Sequence, residues 1–211
     1  MARGAYGRRV PAPGPPAAGG PSRGLLGPGD RLARRPRRVA VAGTSGAGKT
    51  TLARALAADL GVPHVELDAL HHGPGWVPRP QFRADVEALA AGEAWVTEWQ
   101  YGSVRDVLSA RAELLVWLDL PRPLVMRQVV RRTVGRRLRR EVLWNGNVEP
   151  PLRTVLTDPA HIVRWAWTSH HRGRERVLAL GAERPDLPVV RLPSHAAALA
   201  WRRGPLADAP R

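Results

Sequence analysis

Cysteine is absent from the 211 residues. Without thiols there is no disulfide framework and no thiolate metal site, which suits a reducing cytoplasm. Long apolar runs are lacking too: none approaches the roughly 18 residues that a membrane span needs. The first residues hold no apolar stretch of the kind that secretory signals carry. Lysine is nearly missing. Of 33 basic residues, 32 are arginine and one, Lys49, is lysine. The length leaves room for one ordinary domain plus a tail. A soluble cytoplasmic protein with no membrane partner is the expectation.

The 18 acidic residues leave a formal net charge of +15. Such a surface attracts nucleic acid, anionic membrane or phosphorylated small molecules, and charge alone does not choose among them. Part of it has a bland reading in arginine-rich coding bias. Against that background a lone lysine hints at a chemical requirement, because an Arg fork would not fit a tight loop as an ammonium does.

Residues 1–37 stand apart. Gly and Pro supply 15 of them, eight more are Arg, and the single acid is Asp30. So little apolar surface does not offset ordering entropy, and the segment reads as disordered. It would be either a basic arm touching nucleic acid or an extension without such a role. From Arg38 strand and helix signals alternate. Strands are expected at 39–42, 64–67, 95–97, 114–118 and 189–192. Helices are expected from the residues after Gly48 to Leu60, and at 80–91, 103–111, 122–140, 160–180 and 194–202. Alternation of this kind implies a parallel sheet covered on both faces. Residues 204–211 read as a disordered tail.

Gly43, Gly48, Lys49 and Thr50 meet the pattern G-x-x-x-x-G-K-[ST]. The cradle runs through Gly43, Thr44, Ser45, Gly46, Ala47, Gly48, Lys49, Thr50 and Thr51. Its glycines allow several N–H groups to converge on one anion, and the following helix points its positive end there. Lys49 would reach the β- and γ-phosphates of ATP, and the Thr50 hydroxyl would bind Mg²⁺. An apolar strand directly before and a helix directly after supply the required context.

With that loop, the stretches Glu66–Trp76 (ELDALHHGPGW), Trp95–Tyr101 (WVTEWQY), Val116–Pro123 (VWLDLPRP) and Arg131–Glu149 resemble the nucleoside-monophosphate-kinase group. They are most similar to adenylate-kinase-like proteins and DNA topology modulation proteins. The resemblance covers about 38–203 and implies a three-layer P-loop NTPase fold. Its sheet would have about five parallel strands, with helices on both faces and a small arginine-rich helical lid at about 131–172. The chain departs where relatives commonly carry Asp-Gly-Asn-Tyr: here Glu98-Trp99-Gln100-Tyr101 stands.

Asp68 and Glu98 each follow or end a strand at the edge where open α/β sheets bind ligands. The resemblance implies that both reach Mg²⁺ through water and serve catalysis, with an ordinary turn role as the alternative for Asp68. Asp119 reads as structural. Arg132, Arg136 and Arg140 recur every four residues, with Arg127 and Arg131 on a neighbouring row. Val125, Val129 or Val130, Val134 and Leu138 would form the buried stripe. The resemblance places Arg132 on the adenine and Arg136 on phosphate, with Arg172 and Arg174 as weaker candidates. The adjacent pairs His71-His72 and His170-His171 point apart if helical, so they imply no metal site. Trp76 and Trp99 fall in loops near the expected acceptor.

Two functions remain open. One is an ATP-dependent phosphotransferase with Lys49, Arg132, Arg136, Glu98 and Asp68 as its catalytic set and a small-molecule acceptor, perhaps a nucleoside monophosphate. The other is an ATPase that acts as a nucleic-acid-associated regulator through its basic arm.

Overall fold

The computed structural model of the chain describes residues 24–148, 154 and 161–211. Six parallel strands form one sheet in the order β1-β6-β5-β2-β4-β3. They are β1 (Leu25–Leu26), β2 (Arg38–Gly43), β3 (His64–Val65), β4 (Trp95–Glu98), β5 (Leu114–Leu118) and β6 (Val189–Leu192). The helices are α1 (Lys49–Leu60), α2 (Leu67–His71), α3 (Phe82–Ala91), α4 (Arg105–Arg111), α5 (Arg122–Leu138), α6 (Ile162–Glu183) and α7 (His195–Trp201).

Alternation along the strands sorts the apolar residues onto two faces. Val39, Val41, Val96, Leu114 and Val116 pack with Leu52 and Leu56 of α1, Val125 and Val129 of α5, and Trp201 of α7. Ala40, Ala42, Trp95, Leu115 and Trp117 pack with Phe82 of α3, Leu108 of α4, and Val177 and Leu180 of α6. Both faces of the sheet are therefore covered, the three-layer α/β architecture that the pattern implied. β2 lies between β5 and β4. Neighbours on its two sides are reached by crossovers in opposite directions, which opens a crevice at its carboxyl end.

Several expectations are corrected. Within 1–37, residues 24–37 are ordered: β1 pairs with β6, and Leu32 joins the core. Its apolar Leu25-Leu26 supplies the partner that the outer edge of β6 would otherwise lack. Residues 1–23 lie outside the described residues. The tail at 204–211 is not disordered either. Leu206 and Ala209 are buried, and Arg35 N–H donates to Pro210 O at 2.6 Å. Helix α5 ends at Leu138, and Arg140 takes a positive φ of 48°. Finally, the buried stripe of α5 is Val125, Val129 and Thr133, whereas Val130 and Leu138 are exposed. A strict i, i+4 row faces the sheet, and the more apolar Leu138 has run past its edge.

Candidate active site

The turn between β2 and α1 is built by backbone geometry that only glycine tolerates well. Gly46 has φ +85°, and a Cβ there would stand 2.0 Å from Val129 Cγ2 of α5. The loop thus lies directly against the arginine helix. Gly48 caps α1 in a left-handed conformation. Ala47 is buried and its N–H donates to Thr44 O at 3.0 Å, so it shapes the turn from within. Ser45, Gly46, Gly48, Lys49, Thr50 and Thr51 line a cavity of about 1280 Å³.

Lys49 is 9% exposed, and its Nζ donates to Thr44 O at 3.3 Å. Burial holds the ammonium below its ordinary range; the charges of Asp68 and Glu98 oppose that shift, and those of Arg132 and Arg105 add to it. Four of the five expected catalytic residues therefore meet electrostatically at one nitrogen. The fifth, Arg136, lines the same cavity as Arg131, Arg132 and Arg139. Arg127 and Arg140 are not among its walls. Nor is Arg172, while Arg174 is spent on Asp119, whose Oδ2 also accepts from Arg191, both at 2.6 Å. Asp119 is thus held between two guanidinium groups.

Glu98 is 1% exposed and is not among the residues that line the cavity. Burial favours its protonated form, but contacts with His64, the Leu67 N–H and Thr50 outweigh it and hold the carboxyl below its ordinary range. Leu67 N donates to Oε2 at 3.2 Å; Oε1 lies 3.6 Å from His64 Nε2 and has no hydrogen-bond partner. Glu98 also interacts with Thr50, and a buried carboxylate oxygen that lacks a hydrogen-bond donor suits a water on Mg²⁺, which keeps several waters when bound. Among the described residues no cluster of three His, Asp or Glu side chains could hold a metal directly.

Asp68 sits in the first turn of α2 and lines the cavity. Its Oδ1 accepts from Gln100 Nε2 and Tyr101 OH, each at 2.6 Å. Tyr101 takes φ 59° to reach it. Burial, with the Asp68 charge, pushes its phenol upward, so it remains a neutral donor. The substituted tetrapeptide Glu98–Tyr101 is thus what orients Asp68, a role that sequence reading missed although the residues were in view.

The histidines correct an expectation. His72 leaves the helix with φ −89° and ψ 119°, so its ring turns back towards His71, with centroids 4.6 Å apart. Its Nε2 lies 3.1 Å from Tyr101 OH. Trp99 is buried and donates to Ser109 Oγ, whereas Trp76 Nε1 donates to Val148 O at 3.2 Å, in the segment after α5. There, the turn at Trp144–Gly146 docks on the loop around Pro74–Trp76. Asn147 accepts from Trp76 N at 3.0 Å and donates to Gly73 O at 2.9 Å, and Trp144 Nε1 donates to Glu66.

Residues 39–91 match the model of the ATPase family associated with various cellular activities (AAA). That stretch runs from β2 through the glycine-rich loop and α1 to the end of α3. No curated protein matches it. Among solved structures, a gluconokinase from Sinorhizobium meliloti 1021 aligns at 20% identity and TM-score 0.48, over 81% of this chain and 93% of its own. A shikimate kinase from Bacteroides thetaiotaomicron aligns at 14% identity and TM-score 0.44, over 80% and 95%. Among the described residues, no helix is long and apolar enough to cross a membrane.

Proposed function

We propose that the chain is an ATP-dependent phosphotransferase acting on a small molecule, related in its site to adenylate-kinase-like proteins. The observation that carries this reading is one cavity with the phosphate loop on one wall and Arg131, Arg132, Arg136 and Arg139 on the other. Phosphoryl transfer needs little covalent help from protein. Positioned cations neutralise the oxygens of the moving phosphoryl group, and a closed lid keeps water out. In this reading residues 43–51 hold the triphosphate, and Lys49 and Arg136 face the transferred group. Thr50 would ligate Mg²⁺ directly, while Glu98 and Asp68 would order its waters. The metal would supply charge neutralisation across the β- and γ-oxygens.

The test is a coupled ADP-release assay of the purified chain with Mg·ATP against nucleoside monophosphates and small hydroxylated acceptors. Phosphorylation of at least one is expected. Arg136→Ala should cost turnover far more than Mg·ATP affinity, because a transition-state contact is felt in kcat. If no acceptor is phosphorylated while DNA accelerates ATP hydrolysis, the phosphotransferase reading is overturned.

A further inference from the structure

The two oxygens of the Glu66 carboxylate are taken up by donors from different parts of the chain. Arg54 Nη2 donates to Oε1 at 2.5 Å, and Trp144 Nε1 donates to Oε2 at 2.8 Å. Arg54 follows Thr50 by one turn of α1, so both leave the helix on one face, and both line the large cavity. Trp144 opens the short turn that follows α5. Glu66 itself stands between β3 and α2, at the N-cap of α2. One carboxylate therefore joins the helix that starts at Lys49 to the turn beyond the arginine helix. An ion pair with Arg54, whose side chain is 69% exposed, contributes little stability, so stability alone does not account for the arrangement.

Trp144 in turn stands beside Arg136. The guanidinium carbon of Arg136 lies 5.8 Å from the ring centroid, within reach of a cation–ring contact, and its Nε is 3.5 Å from Glu141 Oε1. A long arginine side chain has many rotamers, whereas a contact that acts on a reacting group requires one of them. The ring must therefore be placed before it can place the arginine. His72 stacks on Trp144 with centroids 6.4 Å apart, and Trp76 meets it edge-on, also at 6.4 Å. Such ring contacts tolerate sliding and rotation. The N–H bond to Glu66 is directional, so it fixes how the indole is turned.

We infer that Glu66 is a positioning residue for Arg136: by holding the Trp144 ring, it sets the guanidinium at one place relative to α1 and the glycine-rich loop. What Arg136 does to a transferred group rests on the phosphotransferase reading; where its guanidinium stands does not. Without Glu66 the charge of Arg136 stays in the cavity but is spread over several rotamers. Turnover would then suffer more than the binding of a charged ligand.

The test reads the placement directly. Phenylglyoxal modifies accessible guanidinium groups, and peptide mass spectrometry of the full chain gives the rate at each arginine. Glu66→Ala should speed labelling of Arg136 several-fold and leave Arg131 and Arg139 at the wild-type rate. Trp144→Phe, which keeps a ring without the donor, should do the same. Glu66→Gln, which retains an accepting oxygen, should fall between wild type and Glu66→Ala. Equal labelling of Arg136 in wild type, Glu66→Ala and Trp144→Phe overturns the proposal. So does a uniform rise at Arg131, Arg136 and Arg139, which would mean general loosening. With a phosphorylated acceptor, Glu66→Ala should lower kcat about tenfold and leave KM for ATP within about twofold. In an Arg136→Ala background it should cost nothing further; losses that multiply in the double variant overturn the proposal as well. If Arg136 labelling responds as described but no acceptor is phosphorylated, the positioning stands and the phosphotransferase reading fails.

Discussion

Trp144 Nε1 donates to Glu66 Oε2 at 2.8 Å, joining the Trp144–Gly146 turn to the sheet edge across 78 residues of sequence. Both residues line the large cavity. The bond ties that turn to a carboxylate next to Leu67, and Leu67 in turn donates its N–H to Glu98.

Trp144→Phe keeps the ring and removes the donor. A hydrogen bond to a charged group contributes about 1.5 kcal/mol, so amide exchange across Leu143–Val148 should quicken roughly tenfold. Hydrogen-exchange mass spectrometry reads this directly. Unchanged exchange there would mean that the bonds of Asn145, Asn147 and Val148 hold the turn without it.

Lys49→Met should abolish nucleotide turnover without lowering the melting temperature of the nucleotide-free chain. Burial is the largest influence on the ammonium, and replacing a desolvated charge with an apolar group of similar volume is often neutral or stabilising. The folded-state value is lowered, so wild type gains stability relative to the variant as pH rises from that value towards about 10.4. A melting point several degrees below wild type at neutral pH would show that the attraction of Asp68 and Glu98 outweighs desolvation.

Glu98 gives the opposite pH signature. Its carboxyl is held below the ordinary range, so the ionised form contributes stability above about pH 4.3, lost as pH falls through the folded value. Glu98→Gln lacks that titration. Urea midpoints between about pH 6 and 3 should therefore converge for the two proteins on acidification. Parallel curves would argue against a lowered carboxyl.

Gly46→Ala meets two obstacles. A left-handed backbone costs a side-chain-bearing residue about 1–2 kcal/mol, and the new methyl overlaps Val129. Val129→Ala should relieve the overlap but not the backbone strain, so the double variant should be less destabilised than the sum of the singles. Simple additivity in urea unfolding would place the loop farther from α5 than the structure does.

Much of this chain is legible from local patterning. The order of strands and helices follows from where apolar residues alternate or recur, and the loop at 43–51 follows from glycines that bend it and a lysine that stands alone. Those properties are written into a dozen neighbouring residues. Ordering at 24–37 and 204–211 was hidden because composition reports a segment's own apolar content. Leu32 and Ala209 are buried by surfaces that other segments provide. The same limit applied to Glu98–Tyr101. Sequence placed an acid at the strand end, but only packing turned Gln100 and Tyr101 onto Asp68 and sank Glu98 beneath Thr50. Glu66 and Trp144, 78 residues apart, carry no shared local signal. What the chain determined by itself was the glycine-rich loop at 43–51, because its turn is local backbone chemistry. What tertiary structure decided was which of 32 arginines face a cavity and which, like Arg174, are neutralised, because charge pairing depends on distance in space rather than along the chain.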